Sequence, residues 1–244
     1  MNNALGIAMR NYEESFSYWE GVAQTRWGSY ISNIEKQAIL KAEELAGNPA
    51  RALEIGCESG RWSELLSDLG WNMICADINT ENLELCRKRI PSAQCILVGQ
   101  QDTTLPAGPS SVSLLLCIEV FPVIDSEWFL PEANRVLANG GVLIGVLLNT
   151  LSIRGLFYRA AEPLRKNDPE NNFYRQPYFS FRNKISSIGF DIIYQRGFCW
   201  FPFSRTSNSK MIPIAGRIEK FLYLDRLIQL SPWVVFIARK SISK

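Results

Sequence analysis

The sequence predicts an α/β protein built on a doubly wound, mostly parallel sheet, with helices before it and a less regular region after it. Two observations predict this. Between residues 50 and 150, short apolar runs alternate with amphipathic stretches and Gly or Pro stops, the pattern of βαβ units. Runs such as Val112–Ile118 are apolar almost without interruption, which suits strands covered on both faces.

The elements follow in order. Residues 12–46 read as helical: Ile31, Ile34, Ala38, Ile39 and Leu45 recur at helical spacing, with Glu35, Lys36, Lys41, Glu43 and Glu44 between them. Gly47-Asn48-Pro49 stops that pattern. Ala52–Ile55 is a strand and Arg61–Leu69 a helix ended by Gly70. Asn72–Ala76 is a strand and Thr80–Arg89 a helix closed by Pro91. Gln94–Val98 and Val112–Ile118 are strands, Ser126–Leu137 is a helix ended at Asn139-Gly140, and Gly141–Leu148 is a strand. After residue 150 the rhythm loosens. A helix at Phe181–Ile188 is stopped by Gly189 and followed by a strand at Phe190–Tyr194. Ile218, Phe221, Leu222 and Ile228 suggest an amphipathic helix, and Trp233–Ala238 a last strand.

Composition removes several function classes. The 244 residues are 47% hydrophobic and 20% charged, ordinary for a globular chain of about one domain. There is no His, so His triads, His metal sites and a His general base are excluded. None of the six Cys forms a Cys-x-x-Cys pair, which reads as reduced structural thiols in a cytoplasmic protein, with no metal site. No apolar leader segment follows Met1; Arg10, Glu13 and Glu14 come early, so no secretory signal is expected. Val142–Leu148 is continuously apolar but too short to span a bilayer. Residues 1–150 carry 10 Lys/Arg against 18 Asp/Glu, whereas residues 151–244 carry 16 against 6. A basic second half suggests an anionic partner there, with a solvated basic face as the alternative.

The strand at 52–55 runs into Gly56-Cys57-Glu58-Ser59-Gly60 and then a helix at Arg61. A strand, a Gly turn and a helix start can bring backbone N–H groups to an anionic ligand. Asp77 ends the next strand, 21 positions after Gly56. It is placed to accept hydrogen bonds from a ribose diol, or else to cap the helix at Thr80. The dinucleotide fingerprint G-x-G-x-x-G is not met, because Glu58 and Arg61 hold its second and third Gly places. A carboxylate there suits a pyrophosphate poorly.

These residues resemble a known family. Leu53-Glu54-Ile55-Gly56-Cys57-Glu58-Ser59-Gly60-Arg61-Trp62 is similar to motif I of class I S-adenosylmethionine-dependent methyltransferases. Glu132-Ala133-Asn134-Arg135-Val136-Leu137-Ala138-Asn139-Gly140-Gly141 resembles their E-x-x-R-V-L-x-x-G-G signature. Leu105-Pro106 and Cys117–Val120 are similar to the family's third and fourth strand regions, so the resemblance spans about residues 50–148. It implies a Rossmann-like single domain, with residues 1–48 as a helical lid, 50–150 as the cofactor core and 151–244 as substrate-side segments that cap the acceptor. It implies S-adenosylmethionine as cofactor. Gly56, Cys57 and Gly60 would line its methionine part, Glu54 would orient the loop and the amino group, and Asp77 would take the ribose hydroxyls. Ile78 would lie against the adenine, Gln101 and Asp102 at its edge, and Cys117 and Glu119 under the sulfonium, while Tyr18, Arg26, Trp27 and Tyr30 would belong to the lid.

The departures from the pattern are Glu58 for the middle Gly, Gln101 where an acid is usual, Val112-Ser113 for Phe-Asp, and Pro122-Val123 for Glu-His. With no His, Glu119, Asp125 or a C-terminal Tyr are the available bases, and none is assigned. Residues 151–244 hold 17 of the 28 aromatics, including Tyr158, Phe173, Tyr174, Trp200 and Phe203. Together with Arg154, Arg159, Arg165, Lys166 and Arg175, they suggest a small, apolar or aromatic acceptor that carries an anionic group in one version. Methylation of RNA or a membrane lipid, with peripheral membrane contact, and an inactive methyltransferase-like binding protein stay open. No motif or appended module favours nucleic acid.

Overall fold

The computed structural model describes residues 18–160 and 175–242. Strands β1 (Arg51–Ile55), β2 (Asn72–Asp77), β3 (Gln94–Leu97), β4 (Val112–Cys117), β5 (Leu137–Leu148), β6 (Phe190–Phe198) and β7 (Trp233–Lys240) form one sheet ordered β3-β2-β1-β4-β5-β7-β6. From β3 to β5 every pairing is parallel, and β7 runs antiparallel to both of its neighbours. This is the expected doubly wound, Rossmann-like sheet.

Alternation along β4 explains its unbroken apolar sequence. Leu114 and Leu116 point to one face and Leu115 and Cys117 to the other, and all four are fully buried. The first face packs on α2 (Arg26–Ala46), α3 (Arg61–Asp68) and α4 (Thr80–Arg89) through Ile34, Ile39, Leu66 and Leu83. The second packs on α6 (Phe129–Val136) and α8 (Tyr178–Ser187) through Phe129, Leu130, Phe181 and Ile185. The remaining helices are α1 (Tyr18–Gln24), α5 (Phe121–Ile124), α7 (Ile153–Ala160) and α9 (Ile212–Phe221). Among the described residues, no helix is long and apolar enough to cross a membrane.

Four elements differ from expectation: the helix expected through Ile218, Phe221, Leu222 and Ile228 ends at Phe221, Ile228 lies in a separate 3-10 turn, and three others change as follows. The N-terminal helix is broken at Thr25, whose Oγ1 accepts from Gly28 N at 3.0 Å and so starts α2 afresh. Residues 12–17 of the expected helix lie outside the described residues. The helix expected over Ser126–Leu137 spans only α6; Leu137 turns extended and pairs with Val112, so β5 begins four residues early and passes through Gly140 at φ +75°. β6 continues to Phe198 because β7 offers it a ladder as far as Trp233.

Candidate functional site

The strand order reverses between β1 and β4, and ligands in such sheets bind at the carboxyl ends of the strands beside that point. There, Gly56 N and Cys57 N donate to Ala76 O at 2.8 and 3.1 Å, folding the loop after β1 across β2. The turn needs positive φ at Gly56 (+67°) and Gly60 (+84°), and it also holds Glu58 at φ +51°. Asp77, at the end of β2, stitches the loop: its Oδ2 accepts from Glu58 N and its Oδ1 from Asn79 N, both at 2.9 Å. Glu58 in turn accepts from Trp19 N at 3.1 Å, so its side chain reaches toward α1. Arg89 of α4 donates to Ser59 O at 3.0 Å and pairs with Glu20 of α1 at 2.5 Å. Loop and lid helix are thus joined at two points.

Across the reversal point, Glu119 follows β4 at φ +57°, a conformation that costs a non-Gly residue energy and concentrates at functional sites. Its carboxylate pairs with Arg205 at 2.9 Å. The Arg205 guanidinium also lies 4.7 Å from the Trp19 ring and 5.2 Å from that of Trp233. The chain after β6 is tied to the helical lid as well: Thr25 Oγ1 donates to Arg205 O at 3.2 Å and Trp27 N to Ser207 O at 3.1 Å.

Between these parts lies a cavity of about 570 Å³. Seven of the expected site residues line it: Glu54, Gly56, Cys57, Asp77, Ile78, Asp102 and Glu119. Six do not. Gly60 packs under the loop, where a Cβ would lie 2.7 Å from Cys86 Sγ. Cys117 is fully buried on the far face of β4. Gln101 gives way to Gln100 and Gly99, because the Asp102 side chain turns back to accept from Gly99 N at 2.6 Å. Tyr18 is 69% exposed and Arg26 donates outward to Asn208 O at 3.1 Å. Trp27 is drawn into the core by stacking on Tyr30, with centroids 4.6 Å apart.

The sequence reading missed Trp19, Glu35 and Arg205, which also line the cavity. Glu35 had a readable signal: it falls on the stripe of Ile31, Ala38, Ile39 and Ala42, all buried, rather than among the solvent charges of α2. Of the C-terminal residues expected around an acceptor, Arg159 and Arg175 do not line the cavity, while Arg165, Lys166, Phe173 and Tyr174 lie outside the described residues. A second cavity of about 590 Å³, lined by Tyr30, Tyr194, Arg196 and Glu219 among others, holds none of the strand-end residues.

The E-x-x-R signature places no side chain of its own in the cavity. Glu132 accepts from Leu105 N at 2.8 Å and pairs with Arg135, which donates to Leu105 O and Ala107 O at 3.1 and 3.0 Å. This clamp holds the Leu105-Pro106 segment, which does line the cavity. The Arg135 guanidinium holds the Glu132 carboxyl below its usual range.

Glu54 is buried beside the loop and accepts from Ser63 Oγ. Burial pushes its carboxyl up to about 8. A carboxyl raised on folding binds a proton more tightly in the native state, so its share of stability is present at low pH and is lost as pH rises through about 8. Urea unfolding is expected to show stability falling between about pH 5 and pH 8, by a few kcal/mol in order of magnitude, and Glu54→Gln is expected to flatten part of that slope. An unchanged slope in the variant would place Glu54 outside this linkage.

The donor set suits an adenosine-type cofactor. Each oxygen of Asp77 holds one backbone N–H and keeps a lone pair for a ribose diol, and Ile78 is 60% exposed beside it.

Comparisons agree with this geometry. The family model described as a methyltransferase domain matches residues 53–145. A ubiquinone biosynthesis O-methyltransferase of Caulobacter sp. (strain K31) is 28% identical over 129 residues, 49% of this chain and 51% of that protein. An uncharacterized methyltransferase of Mycobacterium tuberculosis is 28% identical over 100 residues, 41% of this chain and 40% of that one. The match therefore spans about half or less of these curated relatives. A possible histamine N-methyltransferase of Thermotoga maritima shares the fold over 99% of this chain and 100% of its own, with a TM-score of 0.56 and 17% identity. A geranyl diphosphate C-methyltransferase of Streptomyces coelicolor A3(2) does so over 86% and 80%, with a TM-score of 0.59 and 11% identity. Residues 53–145 thus match a methyltransferase domain, and the chain shares its fold with S-adenosylmethionine-dependent methyltransferases.

Proposed function

We propose that the chain transfers a methyl group from S-adenosylmethionine to a small acceptor with an apolar or aromatic body. The observation that carries this reading is the cavity at the β1/β4 reversal point, floored by Gly56, Asp77 and Glu119 and roofed by α1, α2 and Arg205. Its volume of about 570 Å³ and its walls of Trp19, Trp62 and Trp128 suit a small apolar ligand and its cofactor.

When bound, the cofactor supplies a methyl group already activated on a sulfonium. The chain's own residues then bind, orient and shield. Asp77 accepts from the ribose hydroxyls, and Ile78 and Val98 offer apolar faces to the base. Glu54 and the loop backbone hold the methionine end. The links from Glu58 to Trp19 of α1, from Glu20 of α1 to Arg89, and from Arg205 to Glu119 and Trp19 keep the roof closed and water out. The relatives' printed activities cover oxygen, nitrogen and carbon acceptors, so they do not choose the acceptor atom here.

The reading is tested by incubating the full chain with S-adenosylmethionine carrying a labelled methyl group and a small-molecule extract. Label in low-mass products is expected. Label only in RNA or in lipid vesicles would replace the small acceptor with a polymer or membrane substrate. Arg205→Ala is expected to weaken adenosylhomocysteine binding several-fold, since it removes both the Glu119 ion pair and the ring contact with Trp19. Calorimetry checks this, and an unchanged affinity would show that the roof closes without it.

A further inference from the structure

Glu35 lies in the middle of α2, lines the cavity and is 1% exposed. Its carboxyl shares a hydrogen bond with the Glu119 carboxyl, and its Oε1 has no hydrogen-bond partner among the described residues. A buried acceptor with no donor is costly, and native structures rarely keep one without use. Burial and the Glu119 carboxylate push the Glu35 carboxyl well above its usual range; Arg61 and Arg205 pull it the other way without overcoming that. Cys199, after β6, is the further titratable neighbour.

A protonated Glu35 donates its O–H to Glu119 and keeps the proton. Glu119 is fixed by Arg205, so the orientation is set, and the free Oε1 is then a bare carbonyl oxygen that can only accept. The two cations near it are already committed. Arg61 donates to Ser32 Oγ at 2.8 Å and lies 4.1 Å from the Trp62 ring, while Arg205 serves Glu119 and Trp19. Among the described residues no side chain supplies the missing donor, and the cavity that Glu35 borders is open to a ligand that carries one.

We propose that Glu35 Oε1 accepts the hydrogen bond of a hydroxyl or amine on the acceptor, so that this chain selects O–H and N–H acceptors over those that offer only carbon. The inference rests on the reading of the cavity as a methyl-transfer site and names its substrate class. Glu35 is a specificity-determining residue in this account, and the aromatic walls supply the apolar part of recognition.

The test uses the full chain saturated with adenosylhomocysteine and three probes with one ring in common: phenol, aniline and toluene. Binding is followed by ligand-observed NMR. Phenol and aniline are expected to bind at least about fivefold tighter than toluene, the return of one hydrogen bond. Glu35→Gln keeps a carbonyl oxygen and an amide that can donate to Glu119, so it retains the preference. Glu35→Leu removes the acceptor and makes the three probes alike, while adenosylhomocysteine affinity stays within about threefold of the unaltered chain, well under the loss of a charge-assisted contact. The inference is overturned if toluene binds as well as phenol, if none of the probes binds, or if Glu35→Leu keeps the preference. A tenfold loss of adenosylhomocysteine affinity in Glu35→Leu would overturn it too, because Glu35 would then serve the cofactor. Failure of the unaltered chain to bind adenosylhomocysteine at all would instead remove the methyl-transfer reading itself, and this inference with it.

Discussion

Replacing Asp77 with alanine is expected to weaken adenosylhomocysteine binding by ~1–3 kcal/mol, about five- to 150-fold. Two effects add. The variant loses the acceptor proposed for the ribose diol. It also loses the oxygens that hold Glu58 N and Asn79 N at 2.9 Å, so the loop after β1 is no longer tied to the end of β2. Asp77→Asn keeps one acceptor oxygen and is expected to fall between the two. Calorimetry separates the outcomes: an alanine variant with unchanged affinity would reduce Asp77 to a stitch between loop and helix.

Replacing Gly56 with alanine is expected to lower unfolding stability by about 2–4 kcal/mol and to weaken cofactor binding with it. Gly56 sits at φ +67°, and a Cβ there would lie 2.4 Å from Val120 Cγ2. Val120 directly follows Glu119 and also lines the cavity, so relief of the clash moves the segment that carries Glu119. Val120→Ala in the same chain removes the clash and leaves the backbone strain. The double variant is therefore expected to be more stable than the sum of the single changes predicts, by about 1 kcal/mol or more. Strict additivity in urea unfolding would show that the loop moves away from Val120 at no cost.

Much of the fold was legible because strands covered on both faces leave an unbroken apolar record. Val112–Ile118 and Trp233–Ala238 read as strands for that reason, and the ladders extend the second by only two residues. The floor of the site was legible at Gly56 and Asp77 because a turn of positive φ and a strand-end acid leave local signatures. The roof was not. Whether Trp27 or Trp19 meets the cavity depends on the rotation of α2 after the break at Thr25 and on the path of the chain through Arg205 and Ser207, which is tertiary information. Trp27 stacks on Tyr30 and is lost to the core; Trp19 meets Arg205 and stays in the site. Arg205 sits in a segment with no period, so nothing local distinguished it from the other cations of the basic half. The E-x-x-R signature was readable as a family mark, while its physical task, the clamp on Leu105 and Ala107, needed the structure.

Which cofactor the strand-end cavity takes decides between methyl transfer and dinucleotide chemistry. The most direct measurement is calorimetric titration of the full chain with adenosylhomocysteine and, separately, with NAD. Saturable one-to-one binding of adenosylhomocysteine, weakened in Asp77→Ala, and no response to NAD are expected. Saturable NAD binding with no response to adenosylhomocysteine would contradict this expectation, because Glu58 stands where the dinucleotide fingerprint carries its second glycine.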